Sequence, residues 1–139
     1  MLRKIADMMS GRELVELAPS ATVYEAACLM KARKCGSVLV TAEHKLKGIF
    51  TERDVINRVV ATKLDPLTTP LAQVMTEKPD TVRPETLAVE ALRMMEDGGY
   101  RHLPVVKRGR VLGVVSRRDF YGEEKAEVEK ERSLWERIG

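Results

Sequence analysis

A displacement of 65 residues lays the chain onto itself, and this internal repeat constrains the fold more than any other feature of the sequence. In that frame Pro19 meets Pro84, Glu25 meets Glu90, Ala26 meets Ala91, Met30 meets Met95, Val40 meets Val105 and Gly48 meets Gly113. Arg53-Asp54 then meets Arg118-Asp119, with no gap between the first pair and the last. Conservative pairs fill the intervals, among them Leu29 with Met94, Val38 with Leu103, Ile49 with Val114 and Thr51 with Ser116. Upstream, Ile5-Ala6-Asp7-Met8-Met9-Ser10 matches Leu71-Ala72-Gln73-Val74-Met75-Thr76 at an offset of 66, which puts one extra residue in the second copy before Pro84. A chain of 139 residues built this way is two units of roughly 60 to 70 residues, not a large multidomain enzyme.

Each copy carries the same order of local signals. Thr22 and Glu25 stand at capping-box spacing, and Val23, Ala26, Ala27 and Met30 recur at helical intervals, which predicts a helix over 22–34. Its partner spans 86–97 and stops at Gly98-Gly99. Two apolar, β-branched runs follow in each copy, 37–41 with 46–50 and 102–106 with 111–115, and each pair reads as a hairpin. Thr51-x-x-Asp54 and Ser116-x-x-Asp119 then open second helices, while 14–17 and Thr81-Val82 are weaker first strands. The expected class is α+β: two βαββα repeats, residues 1–65 and 66–122, followed by a charged C-terminal helix over 123–139 in which Leu134, Trp135 and Ile138 form a short apolar stripe.

Composition removes several function classes. With 44% hydrophobic and 32% charged residues the chain can bury a core, which excludes disorder, and its net charge of +3 is too small for a general nucleic-acid coat. Cys28 and Cys35 are the two cysteines, and no His or Cys lies at a second metal-type spacing, so neither a zinc ribbon nor a disulfide framework is expected. No apolar run approaches the roughly 18 residues that span a bilayer, and the charged start of the chain does not read as a signal peptide; no membrane partner and a cytoplasmic location are the expectations.

The repeated string Gly-x-x-Thr/Ser-x-x-Asp admits two compatible uses. A hydroxyl followed three positions later by a carboxylate caps a helix. The same carboxylate can accept two hydrogen bonds from a ribose diol, and free N–H groups at a helix start suit a phosphate. Between Asp97 and Asp119 the chain also carries Arg101, Lys107, Arg108, Arg110, Arg117 and Arg118 with no acid, a basic run that could hold phosphate or form a solvated face.

Together, Val74-Met75-Thr76, Pro84 with Glu90-Ala91 and Met95, His102-Leu103-Pro104-Val105-Val106 and the two Gly-to-Asp strings resemble a tandem pair of CBS domains, the family named for cystathionine β-synthase. The resemblance covers nearly all of 5–120. It implies sheets packed about a pseudo-twofold axis and a regulatory, energy-sensing module that binds AMP, ADP, ATP or S-adenosylmethionine in the cleft, with AMP the leading candidate and no other cofactor. In one cleft, the family pattern places Asp119 on the ribose hydroxyls and Ser116 at the phosphate. The adenine then lies near Ser10 and Val15 and against Cys35-Gly36-Ser37, with Arg101, His102 and Arg118 as basic groups. In the pseudo-symmetric cleft Asp54 and Thr51 take the same parts, and Thr76, Asp80 and Tyr100 line the base pocket. Asp80 departs from the small or apolar residues often found there, and the basic run favours the Asp119 cleft.

Two other function classes stand beside this one. An enzyme is not expected, because the sequence offers no nucleophile with a base and an orienting group and no Gly-rich phosphate loop. Nucleic-acid binding through the Arg101 to Arg118 face is the alternative, although 4% aromatics leave few stacking platforms. A twofold homodimer is expected, since apolar helices on an outer face must be buried, and an unidentified regulated protein is a further possible partner.

Overall fold

The computed structural model describes residues 2–9 and 11–138. The first copy comprises α1 (Ile5–Met8), β1 (Glu16–Leu17), α2 (Val23–Arg33), β2 (Ser37–Ala42), β3 (Lys45–Thr51) and α3 (Glu52–Asp54), which runs on as π-helical turns over Val55–Val60. The second comprises α4 (Leu71–Val74), β4 (Thr76–Glu77), α5 (Ala88–Gly98), β5 (His102–Lys107), β6 (Arg110–Ser116), a 3-10 turn over Arg117–Asp119 and α6 (Gly122–Ile138). Local chemistry sets these bounds. Thr22 accepts the Glu25 N–H at 3.2 Å to start α2, and Gly99, at a φ of 71°, ends α5 with its N–H on the Met95 carbonyl.

β1 to β4 form one sheet in sequence order, with β1 parallel to β2 and the remaining pairs antiparallel; β5 and β6 form a second, antiparallel pair. In the second copy the place of β1 is held by a single parallel bridge from Val82 to Val105, so the strand expected at Thr81-Val82 is reduced to one contact. The helix expected from Ser116-x-x-Asp119 also differs. Phe120, 4% exposed, adopts an extended conformation that carries its ring into the core, so one 3-10 turn ends there and the helix restarts at Gly122. The charged tail is therefore the continuation of this copy's own second helix. It is pinned to α5 by Arg93 on Glu131 at 2.8 Å and to the N-terminal segment by Arg3 on Glu124 at 2.6 Å, with Arg3 also stacked over the Tyr121 ring.

Three apolar clusters hold the molecule together. One lies under the second copy, around Leu92, Met95, Leu103 and Val105, but it also contains Ile5 and Met8. The other lies under the first copy, around Val23, Val38, Phe50 and Val59, but it also contains Leu71 and Val74. Each copy's leading helix is thus packed beneath the other copy. Backbone bonds repeat the exchange in register: Ile5 N–H on the Thr86 carbonyl and Ala6 N–H on Pro84 are matched by Leu71 N–H on Ala21 and Ala72 N–H on Pro19. The third cluster, Leu39, Ile49 and Val111, is the seam between the two hairpins.

The recurrent glycine belongs to the same exchange. A Cβ on Gly48 would come within 2.6 Å of the Met75 sulfur and 2.7 Å of the Thr76 carbonyl oxygen, and one on Gly113 would collide with the Met9 methyl. The glycines let each leading segment lie against the other copy's hairpin. Gly48→Ala should therefore cost about 1–3 kcal/mol of unfolding free energy in a urea titration, because the Thr76 backbone, held in β4, cannot retreat as a side chain could. A loss below a few tenths of a kcal/mol would show that β4 yields freely.

Candidate functional site

Between the copies lies a cleft of about 1000 Å³. The ends of β3 and β6 open into it, so the residues that leave the two hairpins face one another across it. The first copy contributes Gly36, Thr51, Glu52, Arg53, Asp54 and Asn57; the second contributes Thr76, Lys78, Asp80, Tyr100, Arg101, His102, Ser116 and Arg118, among others. Two arginines staple the halves together at its rim. Arg53 donates to the Gly99 carbonyl at 3.4 Å, and Arg118 donates to the Lys34 carbonyl at 3.0 Å. Gly99 and Lys34 cap α5 and α2, so each guanidinium sits at the negative end of the opposite copy's helix. This accounts for the recurrence of Arg53 and Arg118 in the repeat.

The two carboxylates of the repeated string have different surroundings. Asp54, 9% exposed, accepts the Thr51 N–H at 2.9 Å and the Thr51 hydroxyl at 3.1 Å, both on Oδ2. Its Oδ1 meets only Arg58 Nε, at 3.5 Å, among the described residues, and the group opens into the cleft. Asp119 also accepts the N–H of its own hydroxyl residue, Ser116, at 2.7 Å, but both of its oxygens are held by Arg12, Oδ2 by Nη1 and Oδ1 by Nη2, each at 2.8 Å. Burial alone would push the Asp119 carboxyl up; the Arg12 and Ser116 bonds outweigh it and hold the group below the usual carboxylate range.

At the centre of the cleft the His102 imidazole faces Glu52 across Gly36. A Cβ on Gly36 would stand 2.8 Å from Glu52 Oε1 and 3.2 Å from His102 Nε2, so a side chain there would displace one or both of these groups. Burial pushes the His102 imidazole below its ordinary value; Glu52 and Asp119 oppose that, and Arg118 and Arg101 reinforce it. Toward the Asp54 end, Tyr100 donates to Asp80 Oδ2 at 2.7 Å, and burial together with that carboxylate drives its phenol strongly upward.

Of the residues expected in the two clefts, Gly36, Thr51, Asp54, Thr76, Asp80, Tyr100, Arg101, His102, Ser116 and Arg118 come together on this one cavity. Val15, Cys35, Ser37 and Asp119 do not line it. Ser37 is 1% exposed within β2, Val15 and Cys35 pack against the first core, and Asp119 is turned to Arg12. Ser10 lies outside the described residues. The basic run between Asp97 and Asp119 does not make one face. His102 pairs with Ser116 and Lys107 with Arg110, so Arg101, Arg117 and Arg118 stand at the cleft while Lys107, Arg108 and Arg110 stand at the far turn of the hairpin, roughly 17 Å away at strand spacing. Sequence reasoning missed Arg12 and Lys78; their matched offset from the two leading helices was the available signal.

The CBS domain family model matches residues 5–61 and 71–124. Among curated proteins, the CBS domain-containing protein CBSCBSPB1 of Arabidopsis thaliana is 42% identical over 97 residues, 69% of this chain, and the chain spans 18% of that protein's length. The CBS domain-containing protein YhcV of Bacillus subtilis is 30% identical over 83% of this chain and 81% of its own. Among solved structures, a CBS domain protein from Pyrobaculum aerophilum complexed with AMP superposes with a TM-score of 0.81 at 27% identity, over 91% of this chain and 98% of that one. Among the described residues no helix is long and apolar enough to cross a membrane, and no group of three or more His, Cys, Asp or Glu side chains could hold a metal ion.

Proposed function

The chain belongs to the CBS domain family, and from that premise we propose that it is a regulatory module, not an enzyme, that binds one adenosyl nucleotide in the cleft between its two copies. What carries the proposal is the placement of Asp54: a nearly buried carboxylate whose Oδ1 is met only by Arg58, at 3.5 Å, among the described residues, opening into a cavity whose other wall presents Arg101, His102 and Arg118 from the second copy. The volume suits a nucleotide, since ligand pockets hold roughly 300–1,000 Å³. Asp54 takes the ribose diol, Thr76, Asp80 and Tyr100 surround the base, and the phosphate points to the wall that carries Arg101, His102 and Arg118. A ligand that touches both walls changes how the copies sit on one another, and through that the affinity for a partner; the two effects are reciprocal by linkage. Tyr24, Ile56 and Val60, all more than half exposed on the helices of the first copy, support self-association as part of the same reading.

Mass spectrometry of ligand released from the purified protein, followed by calorimetry against AMP, ADP, ATP and S-adenosylmethionine, tests it. No bound adenosyl compound and no heat with any of the four would end the proposal.

A phosphate against His102 changes the proton balance of binding. It favours the imidazolium form of His102, so the histidine's depressed proton affinity rises on binding and the complex takes up a proton. Affinity should therefore grow as pH falls through and below the ordinary histidine range, and the binding heat in that window should depend on the buffer's ionisation enthalpy. His102→Gln should remove most of that dependence. If the dependence persists unchanged in the variant, the proton is taken by the phosphate itself and His102 does not contact it.

A further inference from the structure

The closed state of Asp119 bears on how many ligands the chain takes, and it rests on the reading of the cleft as an adenosyl site. Duplication supplies two equivalent carboxylates, yet only Asp54 opens into the cavity. The Arg12 guanidinium presents two parallel N–H donors, one to each oxygen of Asp119. A ribose cis-diol presents two O–H donors to a carboxylate in the same way, so Arg12 stands where the diol would stand.

The backbone delivers it there. Gly11, at a φ of 74°, permits a turn in which the Arg12 N–H bonds the Met9 carbonyl at 3.3 Å, and the helix before that turn is anchored by Ile5 and Met8 in the core of the copy that carries Asp119. Arg3, from the same segment, donates to the Asp119 carbonyl and to Glu124. The second copy lacks this arrangement. The residue in register with Arg12 is Lys78, which lines the open cavity, and Asp54 is approached by Arg58 from its own helix instead.

We propose that Arg12 is an internal stand-in for a ribose: it closes the Asp119 half of the cleft, restricts the chain to a single adenosyl ligand at Asp54, and masks a second site of the same ligand class that opens only when the ion pair is broken. Arg12 is therefore the residue that sets binding stoichiometry. The Arg12 side chain is 40% exposed but that of Asp119 only 13%, so Arg12→Ala leaves a half-buried carboxylate without its cation; a melting curve on each variant separates that loss of stability from the change in stoichiometry, and Arg12→Lys keeps a cation beside Asp119.

The test is calorimetric stoichiometry with AMP, and in parallel with ATP and S-adenosylmethionine, on wild type, Arg12→Ala, Arg12→Lys and the double variant Arg12→Ala/Asp119→Ala. Wild type should bind one equivalent. Arg12→Ala should bind two, the first with affinity within about twofold of wild type and the second at least about tenfold tighter than any second site wild type displays, since two charge-assisted bonds no longer have to be displaced. Arg12→Lys, which keeps the charge but not the fork, should fall between them, and the double variant should return to one. Two equivalents in wild type, or one in both wild type and Arg12→Ala, would overturn the proposal while leaving the Asp54 site standing. No heat in any of the four proteins would remove both the proposal and the reading beneath it.

Discussion

Leu71→Ala should lower the unfolding free energy by roughly 2–5 kcal/mol, and the damage should appear in the first copy although Leu71 belongs in chain order to the second. Leu71 is fully buried, and the side chains around it are Val23, Phe50, Val59 and their neighbours. Truncation removes three heavy atoms from a site whose walls are strands and helices of another unit, so collapse around the void is restricted and the cavity cost is added to the lost transfer energy. Urea titration gives the size of the loss. Amide exchange gives its location: protection should fall at Val38 and Phe50 before it falls at Leu103 and Val105. A loss under about 1 kcal/mol, or exchange that rises first in β5 and β6, would mean that the exchanged helices contribute little to either core.

Asp54→Ala should weaken nucleotide binding by about two orders of magnitude. Two charge-assisted hydrogen bonds to a ribose, at roughly 1.5 kcal/mol each, amount to about 3 kcal/mol, and each 1.4 kcal/mol is tenfold in the dissociation constant. The same substitution also strips the acceptor from the Thr51 N–H, a capping loss of about 1 kcal/mol in stability, which a melting experiment separates from the binding effect. Asp54→Asn keeps an oxygen for that N–H but loses the charge, so it should retain most of the stability and lose about tenfold in affinity. Calorimetry on the two variants decides the matter. Unchanged affinity in Asp54→Ala would place the ribose elsewhere.

Much of this was legible in the chain because the duplication prints every structural constraint twice. The helix starts, the hairpins and the paired Asp54 and Asp119 follow from spacing and capping chemistry, which act over three or four residues and are visible locally. What sequence could not supply was relative position. A run of basic residues adjacent in sequence favours the Asp119 cleft, but strand pairing carries half of that run to the far end of the hairpin. The decisive cation for Asp119 came from 107 positions upstream, and no local pattern marks such a pair. The end of β6 departs from its local pattern for a related reason: Ser116 and Asp119 satisfy a helix-start pattern, and the burial of Phe120 in a core built from distant residues interrupts it.

The traded leading helices have one more implication, for how such a chain arose and how it can be divided. A single copy made by itself would carry α1 with no seat of its own and an empty groove where α4 now lies, and both would be satisfied at once by a second molecule related by a twofold axis. The present protein is in that sense a domain-swapped dimer whose two subunits have been fused through the segment 61–70. Its halves are complementary fragments of one body, so cutting the chain within 61–70 should leave two pieces that reassociate rather than two independent folds.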